Sequence, residues 1–157
     1  MSELTSMQRS LMKGLVAGLV AGLAATAAKT MAEKFYPPRT HGEPEPPEVL
    51  AQKLSPQHLN RTQLNAASEA IHWGFGALSG AAYGAIAEFY PAATAQEGAA
   101  FGLMMMSLTH EGALPAMHLS AEPEDQTMRE HTSEAATHVL YGVVAERVRS
   151  FVRGLLH

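Results

Sequence analysis

Glu69-Ala-Ile-His72 sets a carboxylate and an imidazole three residues apart, the Glu-x-x-His spacing by which helical bundles hold iron or manganese. His131, Glu134 and His138 recur at helical intervals, so on a helix they share one face. His110-Glu111 closes a run that is otherwise apolar. Nitrogen and oxygen donors of these kinds suit zinc, iron or copper(II), which makes Glu69, His72, His110, Glu134 and His138 the candidate metal ligands. The match is incomplete, because the later stretch reads His-x-x-Glu-x-x-x-His rather than a second Glu-x-x-His. Two other readings use the same residues. Imidazoles that titrate near pH ~6.5 beside carboxylates make a proton-responsive network. Alternatively the groups form interhelical hydrogen bonds and ion pairs with no ligand at all, with Lys29, Glu33, Arg39, Glu111 and His131 as ion-pairing neighbours. Haem held between two of His72, His110 and His138 stays open, and nothing favours it.

Other chemistries are excluded or lack a motif. The chain has no cysteine, which removes disulfides, iron–sulfur clusters, thiolate zinc sites and cysteine nucleophiles. A formal charge of −4 without a basic stripe argues against nucleic acid as a partner. No glycine-rich phosphate loop, Ser-His-Asp context or haem-attachment motif is present, so the reading leans away from an enzyme. Met104-Met105-Met106 points in three directions round a helix and reads as apolar filler rather than a copper site.

The elements that must carry these groups follow from where charge is missing. The chain is uncharged from Gly14 to Ala28, from Ala70 to Ala87 and from Ala135 to Ala145, and a further apolar run from Gly98 to about Leu114 is broken late by His110 and Glu111. No stretch alternates as a strand would, and the periodicity fits four helices at approximately 10–35, 67–90, 95–118 and 127–154, in one domain over 1–157. Tyr36-Pro37-Pro38-Arg39 stops the first helix, and the Pro/Glu-rich segment 37–66 is an extended loop with room for a short amphipathic helix after residue 48. The first apolar run spans about 22 Å as a helix, short of a ~30 Å hydrocarbon core until Leu11, Met12 and snorkelling Lys13 and Lys29 extend it. Arg9, Lys13 and Ala25-Thr26-Ala27 also fit a secretory leader. A retained helix is expected instead, because the small-residue face continues into Thr26 and Lys29.

The glycines carry the strongest pattern. Gly14, Gly18 and Gly22 recur every four residues; Gly76, Gly80 and Gly84 do the same, and Gly98 and Gly102 begin a third row. In water each interior glycine costs a helix about 1 kcal/mol relative to alanine, whereas in lipid such rows let backbones approach and supply the packing. In an up-down-up-down bundle one end would gather Lys29, Glu33, Glu69, His72, His110, Glu111, His131, Glu134 and His138. Each lies on or beside the face of a glycine row, toward the bundle interior, where polar groups pair or serve a function.

The order of these motifs resembles the YagU-like family of small bacterial inner membrane proteins. The resemblance rests on Lys29-x-x-x-Glu33 with Pro37-Pro38-Arg39, His72-Trp73-Gly74-Phe75, Gly80-Ala81-Ala82-Tyr83-Gly84 and Glu88-Phe89-Tyr90-Pro91. It continues through Gly98-Ala99-Ala100-Phe101-Gly102, His110-Glu111, Ser133-Glu134, His138 and Glu146-Arg147. It implies a multi-pass inner membrane protein without established enzymatic activity, from a family with one member linked to acid resistance.

The expected architecture is therefore all-α: a four-helix up-down-up-down transmembrane bundle with glycine-zipper packing and a His/Glu cluster at one end. Membrane lipid is the expected partner, together with a second copy or a larger complex in which the chain is an accessory subunit. Arg9, Lys13, Arg147, Arg149 and Arg153 favour cytoplasmic termini and a periplasmic cluster. The alternative is a soluble or peripheral helical subunit.

Overall fold

The computed structural model describes residues 9–156, and these contain helices and no strand. Residues 1–8 and 157 of the expected single domain lie outside the described residues. Helix α1 runs over Leu11–Phe35, α2 over Pro46–Leu54 and α3 over Arg61–Phe89. Helix α4, Ala99–Leu108, continues through a widened π turn at Thr109–Ala113 into the single turn α5, Leu114–Ala116, and α6 covers Met128–Leu155.

Local sequence explains the boundaries. The Ser10 side chain accepts from the Lys13 N–H at the start of α1. Asn60 and Gln63 form a reciprocal capping box, so α3 starts at Arg61 and takes in residues that sequence reading assigned to the loop. Within that loop Glu45-Pro46-Pro47 initiates α2, with proline where a helix has no N–H bond to lose. Lys53 on α2 donates to the carbonyls of Met117 and His118, both at 2.9 Å, tying α2 to the far end of α5. Thr127 and Glu130 form a second capping box that fixes the start of α6.

The paired residues define the topology. A Cβ built on Gly18 would meet the Gly80 carbonyl, one on Gly22 the Gly76 carbonyl, and one on Gly84 the Gly14 carbonyl. Helices α1 and α3 therefore lie antiparallel in backbone contact along their whole glycine faces. A second contact of this kind joins α4 to α6, where Gly98 meets Gly142 and Gly102 meets the His138 carbonyl. Tyr141 on α6 donates to the Gly76 carbonyl at 2.7 Å, and Tyr83 stacks on Phe101 with centroids 4.2 Å apart, so the long helices alternate in direction. The link Pro91–Gly98 turns α3 into α4 through positive φ at Gln96, Glu97 and Gly98.

Interior and exterior are composed unusually. The face that α1 buries consists of Gly14, Ala17, Gly18, Ala21, Gly22, Ala25, Thr26 and Lys29, whereas Leu11, Met12, Val16, Leu19 and Val20 are exposed. Outward apolar residues recur as Phe75, Leu78 and Ile86 on α3, Leu103, Met104 and Leu108 on α4, and Phe151 on α6. Among the described residues, α1 is the one helix long and apolar enough to cross a membrane by length and composition. Four such helices were expected. The glycines, His72, Trp73, Ser79 and Tyr83 of α3 and the charges of α6 lower hydropathy there, and α4 alone is ten residues long, about 15 Å.

Candidate functional site

Four segments meet at the end of the bundle where α1 stops and α6 begins. The small-residue face of α1 continues from Gly22 and Thr26 to Lys29, one helical turn before Glu33. The Thr127 cap sets the phase of α6 so that Ser133, Glu134, Thr137, His138 and Tyr141 all turn inward. The π turn after α4 carries His110; such turns insert an extra residue into the helical register and re-aim a side chain. Arg39 arrives from the Pro37-Pro38 segment after α1.

Glu134 is the hub. It is 2% exposed, and its carboxylate faces four groups of other segments or turns. The Lys29 ammonium lies 3.2 Å from Oε2 and also pairs with Glu33. The Arg39 guanidinium lies 3.8 Å from Oε1 and donates to Glu45 at 2.7 Å. His110 Nδ1 is 3.4 Å from Oε1, and His138 Nδ1 is 3.4 Å from Oε2. His138 Nδ1 also lies 2.8 Å from the Glu134 backbone carbonyl. A carbonyl only accepts, so Nδ1 carries the hydrogen and Nε2 is left with its lone pair when the ring is neutral. The two imidazoles meet edge to face, with centroids 4.9 Å apart. Burying this many charges is costly unless each finds a partner. Here every one does, and no buried side-chain nitrogen or oxygen among the described residues lacks one.

The cluster borders a cavity of about 420 Å³ whose walls include Phe75, Leu50, Met105 and Met117 and whose polar groups include Lys29, Arg39 and Tyr141. An apolar pocket with a few convergent polar groups is the usual form of a small-ligand site. Glu45, at its rim, is raised from its ordinary value by partial desolvation, with Arg39 and Lys29 opposing and Glu33 and Glu134 adding to the rise.

The expected ligands separate into two groups. His110, Glu134 and His138 come together and could hold a metal ion. Glu69 and His72 border the same cavity but are not among them. Glu69 is exposed and accepts from the Trp73 indole at 2.9 Å, while His72 Nε2 lies 3.1 Å from the Thr30 hydroxyl. The Glu-x-x-His pair therefore stays on the rim, engaged with Trp73 and Thr30 rather than with α6. His131 bonds to Glu111 at 3.2 Å and to the Pro123 carbonyl at 3.0 Å, so this pair clamps the α4–α6 connection beside the cluster. Glu45, Thr30 and Tyr141 were missed by sequence reading. Glu45 sits in proline-rich chain with no periodicity, and a lone Thr or Tyr on an apolar helix gives no signal.

The opposite end holds a second ion network. Arg153 grips Glu88 with contacts of 2.6 and 2.8 Å, Glu88 accepts from the Ser10 N–H, and Tyr83 donates to Glu146, which also holds Arg149.

The chain matches the family described as protein of unknown function (DUF1440) over residues 23–147. No curated protein and no solved structure matches the chain.

Proposed function

We propose that this chain, which belongs to the DUF1440 family of proteins of unknown function, is a multi-pass integral membrane protein whose work is done by the charged pocket at one end of its bundle. The observation that carries this reading is the inverted distribution of side chains. Leucine, valine, methionine and phenylalanine face outward on α1, α3 and α4, while glycine, alanine and the ion cluster face inward. A bundle folding in water gains its stability by burying the large side chains, and this chain leaves many of them outside. A bundle in lipid gains nothing from doing so and relies on close backbone contact, which the glycine rows provide as a glycine zipper. Helix α1 has the length and hydropathy to span; α3 and α6, at 29 and 28 residues, have the length.

The resemblance to YagU-like proteins supports an inner membrane location and a role connected to acid resistance, and Arg9, Lys13, Arg147, Arg149 and Arg153 favour cytoplasmic termini. Two imidazoles within 3.4 Å of one buried carboxylate are the feature such a proton-responsive role would use. Zinc, iron or copper on the same residues is compatible with such a role, because these ligands bind an ion only when deprotonated. Lipid is the proposed cover of the outward apolar face, with a second copy or a larger membrane complex taking part of it.

Fractionation of cells expressing the tagged chain tests the membrane reading. The protein should remain in the membrane pellet after an alkaline carbonate wash and leave it only with detergent. Release by carbonate, or recovery in the soluble fraction as a stable species, would overturn it in favour of a peripheral or soluble subunit whose apolar face is covered by protein.

A further inference from the structure

We propose that His110, Glu134 and His138 form a three-ligand site for a divalent transition-metal ion of the zinc or ferrous class, with a coordination position open to the adjoining cavity. This goes beyond the membrane reading and does not depend on it, since it rests on the local geometry of one end of the bundle.

Three features carry it. One ligand atom from each of the three residues can be chosen so that all lie within 4.8 Å of one another. Donors on a tetrahedral ion with bonds of ~2.05 Å stand about 3.3 Å apart, so closing on an ion brings the widest pair together by at most about 1.5 Å. His110 Nδ1 and Glu134 Oε1 are already 3.4 Å apart, beyond the ~2.7–2.9 Å of a charge-assisted hydrogen bond and close to that tetrahedral edge.

The supporting contacts are those a metal site needs. His138 donates Nδ1–H to the Glu134 carbonyl at 2.8 Å, which fixes the ring and presents Nε2 as the lone-pair nitrogen. Metal-bound histidines are held in this way by a partner on the other ring nitrogen. Lys29 holds Glu134 Oε2 at 3.2 Å, and each carboxylate oxygen has a second lone pair for an ion. Glu33 in turn holds Lys29, so the carboxylate is oriented rather than consumed.

Charge is compatible as well. Glu33, Glu45 and Glu134 face Lys29 and Arg39, which with neutral imidazoles leaves one surplus negative charge for a divalent ion to meet. Two imidazoles and one carboxylate are the donor set of both catalytic zinc sites and ferrous facial triads, each with open positions. All three residues border the 420 Å³ cavity, so the protein-free side of the ion faces that space.

The test uses the full chain purified in detergent or buffer, whichever keeps it folded, stripped with chelator and titrated with Zn(II) and then Co(II). One ion per chain should bind, and cobalt should give the intense visible absorption of a four- or five-coordinate site. His110→Ala and His138→Ala should each weaken binding at least tenfold. His72→Ala and His131→Ala, which alter imidazoles of the same end outside the triad, should bind as wild type does. His110 lies on the partly exposed π turn, so its variant reports on binding even if Glu134→Gln fails to fold. Wild type that takes up no ion, or a His110→Ala, His138→Ala double variant that retains it, overturns the proposal. Equal loss in His72→Ala also overturns it, and none of these outcomes bears on whether the protein sits in a membrane.

Discussion

The same substitution at two glycines of one helix should have opposite effects. A Cβ on Gly80 would stand 2.6 Å from the Gly22 nitrogen and closer still to the Gly18 carbonyl oxygen, all backbone atoms of α1 that cannot rotate away. A Cβ on Gly74 would meet nothing within 4 Å. Ordinary contact between such atoms is about 3.5 Å, so Gly80→Ala must part α1 and α3 by about 1 Å. That separation also loosens Gly14, Gly18, Gly76 and Gly84 along the row. Overpacking of this kind costs about 1–3 kcal/mol, which outweighs the gain of up to about 1 kcal/mol from alanine in a helix. Gly74→Ala collects that gain and no cost. Both variants share the alanine gain, so they should differ by the overpacking cost, about 1–3 kcal/mol, in reversible unfolding, followed by circular dichroism in urea or, for detergent-solubilised protein, in rising mole fractions of SDS. Shifts of the same sign, or a gap below about 1 kcal/mol, would refute backbone contact between the rows.

Two further outcomes concern the ion network. Glu134→Gln removes the most buried acid facing Lys29 and Arg39 and leaves them Glu33 and Glu45, so the loss in unfolding free energy should be about 3 kcal/mol, the low end for breaking a buried pair. Glu97→Gln, at the exposed Arg147–Glu97 pair, should cost less than about 1 kcal/mol; equal losses would show that Glu134 is no hub. Glu45 binds its proton more tightly in the folded chain than at its ordinary value of 4.5, so the folded state carries more protons than the unfolded one in the window above that pH. Stability contributed by Glu45 is then present at lower pH and declines as pH rises through the folded value. Glu45→Gln, which cannot titrate, should gain on wild type as pH is raised from about 4.5 through that window, and a difference curve that slopes the other way would show that Arg39 dominates instead.

How far the sequence revealed this architecture depended on which residues carried a period. The glycine rows were legible because a small residue every fourth position marks a helix face directly, and the face they mark is the one buried. Lys29, Glu134 and His138 were legible for the same reason, as continuations of such faces. His110 was placed at the right end, but the π turn that aims it leaves no trace in the residue pattern. The start of α3 was misplaced because Asn60 and Gln63, a capping box in polar sequence, look like loop until the helix they open is known. Where Glu69 and His72 sit was not legible for a separate reason: a Glu-x-x-His motif names a spacing along one helix and says nothing of which neighbour the face meets. Glu45 and Tyr141 were illegible for a related reason: their roles depend on which segment lies opposite, Arg39 in one case and the Gly76 carbonyl in the other.

The two ends of the bundle make a comparison that bears on what the cluster is for. Both ends bury acid–base pairs, and at both the partners come from different helices: Arg153 with Glu88, and Lys29 with Glu134. At the far end Glu88 pairs with one cation, Arg153, and accepts one neutral donor, the Ser10 N–H. Glu134 instead faces Lys29, Arg39 and two imidazoles beside a cavity large enough for a ligand. Burying ions seldom adds stability over a well-packed apolar core, so the extra groups at this end are poorly explained by packing. If Glu134 were a fastener alone, replacing His110 and His138 with apolar residues of similar size should leave the chain as stable or more so and change nothing it binds. Stability kept while Zn(II) uptake is lost would assign the imidazoles to the pocket rather than to the fold.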